Sequence, residues 1–108
     1  MEEYKVKIYP AARKDLLKIV EYINDLSPKA AVNQYERLVN GILSLKQLPN
    51  RCPFLKNENL RRKEYRFLVI DNYLVIFVVK ELSVQIRRII YNKIVMLDAK
   101  EDKKWETF

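Results

Sequence analysis

Beyond its first strand-like residues, the apolar pattern of this 108-residue chain changes its period near the middle, and that change constrains the fold more than any other feature. From Ala12 to Leu48 the apolar residues recur at three- and four-residue steps, whereas from Tyr65 they come as dense β-branched and aromatic runs. A chain of this length builds a single core. Helices from the first half must therefore pack on strands from the second, which makes an α+β domain.

Tyr4, Val6 and Ile8 alternate with Lys5 and Lys7, predicting a strand over residues 3–9 ahead of the helices. Pro10 opens a helix over 10–26 with the stripe Ala12, Leu16, Ile19, Val20, Ile23 and Leu26. Ser27-Pro28 then offers a capping oxygen and a first-turn proline. The second helix carries the stripe Ala31, Val32, Tyr35, Leu38, Val39, Ile42, Leu45 and Leu48, and ends before Pro49. So tight a break makes an antiparallel hairpin.

Residues 49–59 hold two prolines and three asparagines and read as irregular. The runs 65–70, 73–79 and 84–91 read as an antiparallel meander. The expected order is β-α-α-β-β-β, with the helical hairpin packed on one face of an antiparallel sheet. Residues 1–93 form the domain and 94–108 a charged tail or short C-terminal helix. The strand over 73–79 is apolar on both faces, so its far face needs cover from the segment carrying Trp105 or from a partner polypeptide.

Composition narrows the chemistry. The chain has no histidine, which removes the usual proton shuttle at neutral pH and the commonest zinc ligand. Its one glycine, Gly41, lies inside a helical stripe, so no phosphate-binding glycine loop can be written. Cys52 is alone, so no internal disulfide forms, and it reads as a buried or incidental thiol. No apolar run is long enough for a membrane span and the first residues lack a secretory signal. The expectation is a cytoplasmic protein with no metal and no cofactor.

The net charge is +7, and residues 51–93 hold ten Lys and Arg against four Asp and Glu, a local excess of +6. That excess implies a negatively charged partner, either nucleic acid or an acidic protein surface. The candidates are Arg61, Arg62, Lys63 and Arg66 at the second strand, with Arg62 and Arg66 on one face of it, and Arg87, Arg88, Tyr91 and Lys93 on the fourth. Alternation groups Arg88 with Val84, Ile86 and Ile90, and Arg87 with Gln85, Ile89 and Tyr91 on the more open side. If both strands flank the third, these side chains line a shallow basic groove suited to phosphates, with Tyr91 available for stacking. The alternative is a solvated edge with ion pairs to Glu64 and Glu81. Asp15, Glu21, Asp25 and Glu36 read as solvated helix surface, and Tyr22 and Tyr35 as packing residues.

The stretch from Tyr4 to Leu16, Tyr22-Ile23, Ser27 to Ala31, Leu45 to Pro49, Asn72 to Phe77 and Arg88 to Tyr91 together resemble the RelE/ParE superfamily of toxins from type II toxin–antitoxin, or plasmid stabilization, modules. The likeness runs over residues 4–93. It implies a small basic toxin held inactive by a cognate antitoxin that covers its sheet and helices, with Leu74, Ile76 and Val78 meeting that partner. The superfamily divides into RelE-like ribosome-dependent mRNA endoribonucleases and ParE-like inhibitors of DNA gyrase. On the first branch Arg66, Arg87, Tyr91 and Lys93 would be catalytic. Leu68 and Leu74 stand where that branch carries a lysine and an arginine, and Ile94-Val95 stand where many relatives carry polar residues. These departures favour the ParE-like branch, with Arg61, Arg62, Arg66, Arg87, Tyr91 and Lys93 contacting a target such as gyrase. The ribosome and its mRNA are the alternative target, and a non-toxic nucleic-acid-binding or interaction module is the second alternative.

Overall fold

The computed structural model describes residues 3–92. Strand β1 (Lys5–Ile8) leads into helix α1 (Pro10–Leu26) and helix α2 (Pro28–Leu43). Two 3₁₀ turns follow, Ser44–Lys46 and Pro49–Arg51, and then a short helix α3 (Glu58–Arg62). Strands β2 (Arg66–Ile70), β3 (Tyr73–Lys80) and β4 (Ser83–Tyr91) complete the order.

Ser27 serves both helices. Its backbone N–H closes α1 on the Ile23 carbonyl, and its side-chain oxygen accepts the Ala30 N–H at 3.2 Å to cap α2. The second helix stops five residues before the expected Leu48. The Ser44 hydroxyl donates to the Gly41 carbonyl, and such local bonds compete with the helical ladder. Leu48 then takes a left-handed conformation (φ 48°), and the Arg51 side chain donates to the Gln47 and Leu48 carbonyls of that turn. Leu45 stays buried, but Leu48 is turned outward.

The sheet order is β1-β4-β3-β2. Strands β2, β3 and β4 form the antiparallel meander, and β1 joins it parallel to β4, making the sheet mixed. The helical hairpin supplies the crossover that a parallel pair requires. Both helices cover one face. There Leu16, Leu38, Ile42 and Leu45 pack on Val75, Phe77, Val84 and Ile86. Gly41 lets α2 approach β2 closely, because a methyl at that position would overlap Cδ1 and Cγ1 of Ile70.

The far face of β3 is covered by the chain itself. Leu55, from the segment read as irregular, packs with Leu60, Tyr65, Leu74, Ile76 and Val78. Asn57 makes this possible by accepting the Leu60 N–H and starting α3. Leu74, Ile76 and Val78 are therefore 5%, 0% and 2% exposed in the isolated chain, which removes the premise that they wait for a partner's cover. The tail or helix expected over 94–108 and the boundary at residue 93 lie outside the described residues.

A register shift interrupts β4. Ile76 pairs with Arg88 but Phe77 pairs with Ile86, leaving Arg87 as the extra residue of a bulge. Beyond it the alternation is displaced by one residue. Ile89 consequently packs in the helix-side cluster and Ile90 against the far-face cluster, the reverse of the strict alternation expected.

Candidate functional site

The cationic candidates fall into two stations. At the β2 edge, Phe54 forms an isolated antiparallel bridge with Arg66. The Arg66 guanidinium lies 4.0 Å from the Phe54 ring centroid and that of Arg61 lies 5.9 Å from it. Arg66 also donates through Nη1 to the carbonyls of Cys52 at 2.6 Å and Asn50 at 3.2 Å. Cys52 is buried in the helix-side core, and its burial pushes the thiol pKa up, against the nearby Arg51 and Arg66 charges. The thiol is thereby kept protonated and unreactive.

The second station is built around the bulge. Arg87 sits over the Tyr9 ring at 4.7 Å and near the Tyr65 ring at 5.8 Å. Tyr65 belongs to the far-face cluster, so Arg87 lies on the face opposite the helices. Tyr91 lies on the other side. Its ring meets that of Tyr73 edge-on at 5.6 Å, and Tyr73 packs against the helix-side core. Burial raises the Tyr73 pKa, helped by Tyr91, Tyr22 and Asp71 nearby.

The structure thus brings Arg61 and Arg66 together around Phe54 and separates Arg87 from Tyr91. Arg62 lies on α3 and not on strand two beside Arg66. It pairs with Glu58 at 3.1 Å, both side chains being largely exposed, so the pair contributes little stability. Lys93 lies outside the described residues. Arg88 turns to the helices, where Asp15 receives it at 2.7 Å.

Asp15 is the main residue that the sequence reading misplaced. It is not solvated helix surface, because it also accepts the Ile89 backbone N–H beside the bulge. Nothing in local spacing links residues 73 apart in sequence. Tyr22 and Tyr35, read as packing residues, are 69% and 46% exposed. Phe54, Tyr9 and Tyr65 were missed as aromatic partners of arginine. Their one sequence signal is an aromatic beside a turn or strand end, which has many other uses. Among the described residues no group of three or more His, Cys, Asp or Glu is placed to hold a metal ion, and no described helix is long and apolar enough to cross a membrane.

Chemically, both stations offer delocalised cations on aromatic rings, suited to recognising anionic or planar groups. Neither of them joins Arg66, Arg87 and Tyr91 around one point.

A family model described as the ParE toxin of the type II toxin–antitoxin system parDE matches residues 6–95. Eleven chains of solved structures are similar to this one. One, from a structure titled as the chromosomal ParDE TA system from P. aeruginosa, is 24% identical with a TM-score of 0.70, covering 82% of this chain and 96% of that one. That likeness bears on the fold. No curated protein matches the chain.

Proposed function

The chain belongs to the ParE toxin family of type II toxin–antitoxin systems, and from that premise we propose that it acts by binding a protein target, DNA gyrase, and is neutralised by a cognate antitoxin. Membership of a toxin–antitoxin family implies the antitoxin partner. The choice of binding over RNA cleavage rests on the separation of Arg66, Arg87 and Tyr91.

Cleaving a phosphodiester requires a proton-transfer group and a cation to converge on one phosphate within hydrogen-bond reach. Here Arg66 is engaged with two backbone carbonyls and Phe54. Arg87 and Tyr91 contact aromatic rings of opposite faces. Such an arrangement supports a surface that recognises a partner, and the absence of histidine agrees with it.

The test is DNA supercoiling by purified gyrase. Adding the chain is expected to suppress the supercoiled product, and full supercoiling at high molar excess would overturn the gyrase reading. Ribosomes programmed with message should leave that message intact. Cuts in the A site that disappear with Arg87→Ala would replace binding with cleavage. Where a short gene beside this one encodes the antitoxin, its coexpression should restore growth.

A further inference from the structure

Strands β1, β3 and β4 carry Lys5, Lys7, Lys80, Arg87 and Arg88 and not one carboxylate. Arg88 is paired with Asp15. The other four share the far face of the sheet. Val6 and Ile8 pack against the helix-side core, so the alternate residues Lys5, Lys7 and Tyr9 point the other way. Val78 belongs to the far-face cluster, which puts Lys80, two residues on, on the same side. Arg87 joins them at the bulge, with its guanidinium 4.7 Å from the Tyr9 ring centroid.

The strand register gathers these side chains into one field. Lys5 pairs with Ser83 and Ser83 with Lys80, so a lysine stands on either side of Ser83, and Lys7 pairs with Gln85. Along β1, Lys5, Lys7 and the Tyr9 ring under Arg87 follow at two-residue steps, a row about 13 Å long. The apolar cluster of this face includes no residue of β1. Among the described residues no ion pair involves Lys5, Lys7 or Lys80, although the exposed Glu3 and Glu81 stand at the same end as Lys5 and Lys80.

Like charges gathered in this way repel one another, and a polyanion relieves the repulsion. The core of a protein interface is poor in lysine and built on apolar anchors. On these three strands the one exposed large apolar residue is Tyr91, which lies on the helix side, and only Leu82 in the β3–β4 turn borders the field. Single-stranded nucleic acid is held largely by bases stacked on open aromatic faces, whereas the Tyr9 ring is occupied by Arg87.

We propose that this half of the far face binds the phosphate backbone of duplex DNA without reading its bases. Lys5, Lys7 and Arg87 follow one strand over a rise of about four nucleotides, and Lys80 adds a contact beside them. The site goes beyond the gyrase reading and rests on it only for the choice of DNA over duplex RNA, because gyrase holds DNA.

The test is fluorescence anisotropy of a labelled 12-base-pair DNA titrated with the whole chain over a series of NaCl concentrations. The logarithm of the binding constant should fall with that of salt at a slope of about −3 to −4, as four phosphate contacts require. Lys5→Gln/Lys7→Gln changes two exposed side chains, so its circular dichroism should match the parent. Its slope should be shallower by about 2 and its affinity at low salt at least tenfold weaker, equally for unrelated sequences. Lys18→Gln/Lys29→Gln removes the same charge from exposed positions on the helices and should keep the parent slope. Amide shifts in NMR should centre on Lys5, Lys7, Lys80 and Arg87. No binding, an unchanged slope in the β1 variant, or an equal loss in the helix variant would overturn the proposal. Polyglutamate displacing the duplex at equal charge would give the surface to an acidic protein, and a tenfold preference for single strands or for duplex RNA would remove it from duplex DNA. Gyrase is absent from this experiment, so the supercoiling test can fail while DNA binding stands, and the reverse.

Discussion

Asp15 of α1 and Arg88 of β4, 73 residues apart in the chain, form a two-point ion pair, Nε to Oδ2 at 2.7 Å and Nη2 to Oδ1 at 3.1 Å. The same Oδ2 accepts the Ile89 N–H at 2.9 Å. One carboxylate thus ties helix α1 both to a side chain and to the backbone just after the bulge. Arg87, the extra residue of that bulge, is fixed on the far face as a consequence.

Removing this carboxylate should loosen the helix, the bulge and Arg87 together. The pair is mostly shielded, with side-chain exposures of 26% and 16%, so Asp15→Ala removes a charged acceptor from a partly buried guanidinium and from a backbone N–H. The expected loss is about 2–3 kcal/mol, below the figure for a fully buried pair. Urea unfolding should show a lower midpoint. Asp15→Asn keeps one acceptor and should lose less, and equal loss in both variants would show that charge carries the whole effect.

The limits of sequence reading follow from the same residues. Ser27-Pro28 announces itself because capping and first-turn geometry are local properties, and the strands announce themselves by composition. The bulge at Arg87 has no local signature, since an extra residue in a β-branched run leaves the composition unchanged. Without it, strict alternation put Arg87 and Tyr91 on one face and joined them into a site. The cover of the far face was hidden for a related reason. Leu55 and Leu60 are too few to show a period, so a segment punctuated by proline and asparagine read as loop while its Leu55 joined the second core, and Tyr65, read as the start of a strand, gave no sign of packing there.

Gly41→Ala should destabilise the protein although alanine is the better helix former. The propensity gain is about 1 kcal/mol, but the added methyl overlaps Cδ1 and Cγ1 of Ile70. Overpacking of that kind costs about 1–3 kcal/mol. Thermal unfolding should show a lower midpoint for the single variant. Pairing it with Ile70→Val, which removes the clashing Cδ1, should recover part of the loss, and strict additivity would mean that the two positions do not touch.

Asp71 gives a pH signature. Hydrogen bonds from Arg37 at 2.8 Å and from Gln34 at 2.9 Å hold its carboxyl pKa below the usual value, so the folded state favours its ionised form. The stabilisation is present above the unfolded pKa, near 4, and is lost as pH falls through the lower folded value. Asp71→Asn should be less stable than the parent at pH 7, with the gap closing toward pH 2. Asparagine tolerates the left-handed backbone at this position (φ 53°), so the turn survives the change. Because Arg37 is 60% exposed the gap is small and should shrink further in high salt. A gap that persists in acid would trace the difference to the turn itself.

Val78→Asp separates a buried core residue from a docking residue. Val78 is 2% exposed and packs with Leu55, Leu60 and Tyr65, so a carboxylate there has neither water nor a partner. The cost, several kcal/mol, is comparable to the whole stability of a domain this size. The expected result is loss of the cooperative unfolding transition and of the native circular dichroism. Lys7→Glu, on the exposed face of β1, should instead leave the unfolding midpoint nearly unchanged. If Val78→Asp folded normally and lost only antitoxin binding, the far face of β3 would be a docking surface and the cover by residues 55–65 would have to move aside in the complex.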